Sequence, residues 1–276
     1  MTLFPGVALV TGAASGIGRA TAIAFAVDGC RRIAICDRDL PGLEATRALI
    51  IDIKREDADV DVEMEVEVLQ VDILKEDDIE RMVRMTVRRW GRVDYAVNAA
   101  GIIGNNAPST STSSAQFDLV TNINYRGCWL SSRAELAQMV GQEVLPSHDG
   151  RPGERGSVVN IASQLGVVGR PNAPAYCASK AAVIGMTRCD AIDTDEEQYS
   201  KHNIRVNCVC PGVIATPMTQ GDAVFRKALE PAIDIAPMQR MGTAQEIADA
   251  CLFLCSSKAS FVQGHALVVD GGYVIN

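Results

Sequence analysis

Tyr176 and Lys180 stand four residues apart in Ala175-Tyr176-Cys177-Ala178-Ser179-Lys180, and Ser163 lies thirteen residues upstream. Positions i and i+4 of a helix share a face, so a phenol and an ammonium would point into one site. An isolated phenol titrates near ~10, and a fixed positive charge nearby lowers that value. Such a tyrosine can exchange protons near neutral pH. Ser163 could polarise a substrate oxygen, or simply turn the chain after a strand. The Tyr-x-x-x-Lys spacing is common and gains weight only from what accompanies it.

What accompanies it is a glycine loop. Val7 to Val10 is a short β-branched apolar run that predicts a buried strand. Thr11-Gly12-Ala13-Ala14-Ser15-Gly16-Ile17-Gly18 follows, and Arg19 to Val27 reads as an Ala-rich helix. Strand, glycine turn and helix form the setting in which a dinucleotide loop is credible. Gly12 permits the tight turn, Gly16 a close backbone approach to a pyrophosphate, and Gly18 close packing of helix on strand. The helix N-terminus offers unpaired N–H groups to the anion.

The next predicted strand, Arg32 to Cys36, ends at Asp37, nineteen residues after Gly18. A carboxylate at that spacing accepts hydrogen bonds from an adenosine ribose diol and repels a 2′-phosphate. NAD(H) is therefore expected over NADP(H). Arg38 leaves NADP(H) open, because a guanidinium can pair with a phosphate; Ser15 gives the loop no additional basic group.

With these motifs in hand, the chain resembles a short-chain dehydrogenase/reductase of the common single-domain type, from Val7 to Gly272. The resemblance implies a catalytic tetrad of Asn124, Ser163, Tyr176 and Lys180. It implies cofactor contacts at Gly12, Ser15, Gly16, Ile17 and Gly18, at Asp37 and Arg38, and at Asp72 and Ile73 beside the adenine. Asn98-Ala99-Ala100-Gly101 would close the fourth strand beside the cofactor. The segment Pro211-Gly212-Val213-Ile214-Ala215-Thr216 and then Met218 would hold the carboxamide, with Tyr176 and Lys180 on the nicotinamide ribose. It also implies reversible hydride exchange with a carbinol or carbonyl carbon, and a homo-oligomer, tetramer or dimer. Two stretches depart from the pattern: the loop 151–156 and the link that begins at Asp193.

Composition sets outer bounds. A chain of 276 residues suits one α/β domain. Its net charge of −8, with no basic tract, argues against nucleic acid and anionic membrane as partners. Nine scattered cysteines read as buried reduced thiols rather than disulfides or a metal site, including Cys208 with Cys210 on one strand face and Cys251 with Cys255 on one helix face. A reducing cytoplasm is the corresponding expectation, with no signal peptide ahead of the first strand and no apolar run long enough to span a bilayer.

Predicted strands fall near 7–11, 32–36, 66–71, 93–97, 157–161, 204–209 and 266–269, alternating with helical patterns. Continuous apolar strands between helices indicate a parallel sheet covered on both faces. The expected fold is a single-domain doubly wound Rossmann sheet of seven strands over 1–276, with a substrate lid at about 213–242. Glu56 to Asp61 is expected to be a solvated acidic loop. Ser109 to Ser114 could start a helix at Ala115, and Thr216 could cap one before Pro217.

The lid offers Met218, Val224, Phe225, Leu229, Ile233, Ile235, Met238 and Met241, which suits a hydrophobic secondary alcohol or ketone or equally core packing. Terpenoid, steroid-like or polyketide-derived compounds fit that expectation. Sugars and short hydroxy acids fit it less, since no cluster of basic residues suggests a carboxylate clamp. Asn105, Gln164 and Met218 join Ser163 and Tyr176 as candidate substrate contacts. An isomerase or dehydratase using Tyr176 as acid and base is the alternative, and an NAD(H) sensor without chemistry a third. A Ser–His hydrolase fails on inventory: His148, His202 and His265 are the only histidines, and Ser163 lies in no Gly-x-Ser-x-Gly elbow.

Overall fold

The computed structural model describes residues 2–53, 63–147, 150–193, 203–221 and 223–276. The acidic loop Glu56–Asp61, most of the link after Asp193, His148 and His202 lie outside them.

Seven strands form one parallel sheet: β1 Val7–Thr11, β2 Arg32–Asp37, β3 Glu65–Gln70, β4 Tyr95–Asn98, β5 Gly156–Ile161, β6 Ile204–Pro211 and β7 Ala266–Val269. Their order is β3-β2-β1-β4-β5-β6-β7. β1 is buried along its whole length, with Val10 opposite Ile35 on one side and Val97 on the other. Val and Ile suit these positions because a branched side chain packs well on a pleat buried on both faces.

One face is covered by α1 (Gly16–Val27), α2 (Leu40–Ile51) and α10 (Ala244–Cys255), which contribute Ala22, Phe25, Leu43, Ile50, Ile247 and Cys251 to one core. Phe4, Phe25 and Tyr95 pack edge-on and stacked within it. The other face is covered by α3 (Glu76–Trp90), α5 (Cys128–Val140) and α6 (Pro174–Ile192). There Ile79, Met82, Leu130 and Met139 form a second core, and Val183 and Met186 pack with Cys208 and Cys210 in a third. Fully burying one such aliphatic side chain contributes roughly 1.5–3 kcal/mol.

The chain runs outward from β1 to β3, then crosses back to β4 and runs the other way. The crevice lies at that reversal, outside the carboxyl ends of β1 and β4. α1 begins at Gly16 rather than Arg19, because the last glycines of the loop already belong to its first turn. A 3-10 turn, Ser109–Ser111, precedes α4 (Ser114–Thr121), which the Ser113 hydroxyl caps by accepting from Gln116 N–H at 3.2 Å. Between α4 and α5 the backbone widens into a π-helical segment, Asn122–Gly127, which helical periodicity in the sequence does not reveal. After β6 the chain makes a short parallel ribbon, Ile214–Ala215 with Gly242–Thr243, and the small helices α7 (Pro217–Gln220), α8 (Ala223–Ala228) and α9 (Glu230–Ile235).

The departing loop 151–156 is pinned to the body. Leu145 and Glu154 exchange backbone hydrogen bonds, and the Glu154 carboxylate accepts from Arg205 at 2.9 Å. Seven of the nine cysteines are buried and all are free; Cys177 is half-buried and Cys189 exposed, so burial does not extend to every thiol. Burial pushes Cys30, Cys128 and Cys251 up to about 12, which keeps these thiols protonated.

Candidate active site

A cleft of about 350 Å³ runs along the carboxyl ends of β1, β2 and β3. It is lined by the glycine loop, by Asp37 and Arg38, by Asp72 and Ile73, and by Ala99, Ala100 and Gly101. Its floor is backbone. Gly12 has φ 68° and Gly16 φ 53°, in the region that L side chains rarely adopt. A Cβ on Gly12 would lie 2.7 Å from Ala100 N, so strand β4 can pass close only because the side chain is absent. A Cβ on Gly18 would collide with the Gly12 carbonyl. Ser15 precedes α1 with an exposed hydroxyl that makes no capping bond. The cradle therefore offers N–H groups, a helix N-terminus and an uncrowded floor, which suits a pyrophosphate. These residues fit a dinucleotide.

At the far wall the Asp37 carboxylate accepts from Ala14 N–H at 3.2 Å and from Asp39 N–H at 3.1 Å. These bonds fix it where β2 ends. Arg38 beside it is exposed, and among the described residues no carboxylate pairs with it. Asp72 accepts from Leu74 N–H at 3.1 Å, which shapes the turn after β3.

A second cavity of about 120 Å³ continues from the first, sharing Ile17, Ala99, Gly101, Ile102, Thr216 and Met218 with it. Ser163, Gln164, Tyr176 and Lys180 line it, with Pro211, Gly212 and Ile214 opposite. Ser163 stands where β5 ends, and its hydroxyl accepts from Leu165 N–H at 3.1 Å. It shares this cavity with the Tyr176 hydroxyl, whose phenolate it favours. α6 carries Tyr176 and Lys180 one turn apart, with Pro174 at its first position. Thr216 precedes α7, Pro217 follows at the first helical position, and the Thr219 hydroxyl accepts from Thr216 N–H at 3.1 Å.

Burial dominates the electrostatics of both Tyr176 and Lys180. The Lys180 ammonium donates to the Ile161 carbonyl at 2.7 Å and lies 6.0 Å from the centroid of the Tyr176 ring. Burial lowers the lysine from its usual value. Burial likewise raises the Tyr176 phenol, while Ser163 and the charge of Arg170 oppose that rise.

Asn124 sits in the π-helical segment, 1 % exposed. Its side-chain oxygen accepts from Ile102 N–H at 2.8 Å, and its amide donates to the Ile102 carbonyl at 2.9 Å and to Ser179 Oγ at 3.2 Å. It ties the loop after β4 to α6 and does not line either cavity. A Cβ on Gly101 would meet its Oδ1 at 3.2 Å and Lys180 Nζ at 3.6 Å, so Gly101 lets these groups approach one another.

Asn98 and Asn105 also lie outside both cavity walls. The Asn98 amide points beneath the sheet, donating to Glu135 at 2.8 Å and to Asn160 Oδ1 at 3.1 Å. Of the lid's apolar residues, Met218 and Leu229 face the cavity, whereas Val224, Ile235 and Met238 are half or more exposed. Arg170, Ile102, Ile103 and Tyr273 line the cavity without having been expected there. Arg170 reaches Asn106 Oδ1 at 2.5 Å, bridging the loops after β5 and β4. The clue was its place between Ser163 and Tyr176, in a loop that must cross the cleft to connect them.

Among the described residues, no group of three or more His, Cys, Asp or Glu side chains is arranged to hold a metal ion, and no helix is long and apolar enough to cross a membrane.

Comparison with known proteins agrees with this geometry. A family model described as enoyl-(acyl carrier protein) reductase matches residues 12–274. The chain is 37% identical over 272 residues to the short-chain dehydrogenase fogB of Aspergillus ruber, covering 97% of this chain and 96% of that protein. It is 36% identical over 272 residues to levodione reductase of Leifsonia aquatica, covering 96% and 93%. A crystal structure of levodione reductase superposes with a TM-score of 0.84 at 36% identity, covering 99% of each chain.

Proposed function

The chain belongs to the short-chain dehydrogenase/reductase family, and we propose that it interconverts a hydrophobic secondary alcohol and its ketone with a preference for NAD(H). Its class is that of the NAD(P)(H)-dependent oxidoreductases acting on CH–OH and C=O groups. The observation that carries the proposal is the junction of the two cavities, where a glycine cradle meets the wall that carries Ser163, Tyr176 and Lys180. When bound, the nicotinamide supplies or takes up the hydride.

Ser163 donates to the substrate oxygen and polarises it. Tyr176 gives its proton to the developing alkoxide in reduction and takes the alcohol proton in oxidation. In this reading Lys180, close to Gly101, bonds the nicotinamide ribose, and Asn124 holds the loop that carries Gly101 against α6. Asp37 supports the NAD(H) preference, because a carboxylate fixed by two backbone N–H groups accepts from a ribose diol and repels a phosphate. Ile102, Ile103, Leu165, Met218 and Leu229 give the second cavity its apolar character, which supports a hydrophobic substrate. The assembly is proposed to be a homo-oligomer and the location cytoplasmic, on family resemblance.

Titration with NADH and separately with NADPH tests the reading. NADH should bind at least about tenfold tighter, roughly 1.4 kcal/mol. Tighter NADPH binding would give Arg38 the deciding role. Binding of neither would overturn the redox reading.

A further inference from the structure

Resting on the oxidoreductase reading above, we infer that the substrate carries, besides its ketone or carbinol, a second and acidic oxygen group, which Arg170 binds. Among the described residues, the wall of the second cavity holds two cations, Arg170 and Lys180, and no aspartate or glutamate. Lys180 donates to the Ile161 carbonyl at 2.7 Å and serves the cofactor ribose in the reading above. Arg170 has only a neutral partner, Asn106, and among the described residues no carboxylate pairs with it. A guanidinium that lines a substrate cavity and lacks a counter-ion favours an anionic or strongly accepting ligand. The chain as a whole carries −8, so this local positive wall runs against the general charge.

Ser163 with Tyr176 and, apart from them, Arg170 thus offer two polar stations in one small chamber with a largely aliphatic wall between them. The matching compound is small and apolar, with a carbonyl at one station and a carboxylate or comparably acidic oxygen at the other. The lack of a basic cluster in the sequence suggested no carboxylate clamp; one arginine brought in by the loop fold supplies it.

The test compares 4-oxocyclohexanecarboxylate with its methyl ester. Binding of each to the NADH complex is followed by calorimetry, and kcat/KM is measured wherever turnover occurs, for the wild-type protein, Arg170→Met and Arg170→Lys. The acid should be favoured by tenfold or more in the wild type. That ratio should collapse to near one in Arg170→Met and return in part in Arg170→Lys. An acid-to-ester ratio near one in the wild type would overturn the inference. So would a ratio that survives in Arg170→Met while only the pH profile shifts, since Arg170 would then act on Tyr176 alone. Failure of the underlying reading is distinguishable, because NADH itself would then not bind, and the inference would fall with it.

Discussion

The two halves of the crevice are built from different materials. The cofactor half is main chain: Gly12, Gly16 and Gly18 remove side chains so that β1, β4 and α1 can close around an anion. Its residues lie close together in sequence, and the dihedral angles that they need restrict them to glycine. The substrate half is side chain: Ser163, Arg170, Tyr176 and Met218 come from separate segments and meet only through the packing of β5, α6 and the lid. Beneath it lies a buried polar network, Asn98–Glu135 and Asn98–Asn160–Thr187, that holds β4 and β5 against α5 and α6. A backbone cradle is robust to most substitutions except at its glycines. A side-chain constellation depends on every wall behind it.

The largest expected effect breaks the substrate half alone. Tyr176→Phe removes the proton carrier and should lower kcat by roughly 10³–10⁴, or about 4–5 kcal/mol of transition-state stabilisation, while the NADH dissociation constant moves far less. Steady-state kinetics beside a cofactor titration reads both quantities; equal loss in each would erase the distinction between the halves.

Glu135 bears on the support beneath. Burial raises its carboxyl to about 7 from 4.5, and the Asn98 hydrogen bond opposes this only in part. The unfolded chain therefore releases this proton first as pH rises. The stability that the protonated group contributes is complete below about 4.5 and is lost as pH climbs through about 7. Glu135→Gln should abolish that slope, with a difference from wild type on the order of 3 kcal/mol across the window. Denaturant unfolding at several pH values measures it, and parallel slopes for both proteins would count against the raised carboxyl.

Gly12→Ala breaks the other half. A Cβ in a positive-φ residue, 2.7 Å from Ala100 N, should cost about 2 kcal/mol. The loss should be read as weaker NADH binding, with kcat at saturating cofactor moving less. A drop in kcat without loss of affinity would reverse the assignment. The smallest effect sharpens the cofactor half: Asp37→Ser should shift the NADH-to-NADPH preference toward NADPH by about tenfold, and competition binding would detect its absence.

Much of this was legible before any coordinates. The β-branched runs at Val7–Val10 and Ile204–Val209 announced central parallel strands, since a strand buried on both faces has no polar face to conceal its period. Their ends were less clear: the fourth strand begins at Tyr95 and not Val93, because hydrophobicity continues where pairing has not yet begun. The π-helical segment at Asn122 was invisible, since a stretch of 6 residues is too short to show a change of helical period. Asn98 was placed in the cofactor wall by its motif. The structure turns its side chain under the sheet instead, because strand residues alternate faces.

What the sequence determined by itself is whatever depends on local geometry. That includes the glycine turn with its positive φ angles, the strand that precedes it, the acidic residue at the next strand's end, and the one-turn spacing of Tyr176 and Lys180. What only the tertiary structure decided is the electrical setting of those groups. Lys180 is turned to the Ile161 carbonyl, the Tyr176 phenol is raised by burial, and Arg170, carried in by a loop, opposes that rise. The reason is physical: bond geometry is set by near neighbours in the chain, whereas burial and charge are set by whatever the fold brings close.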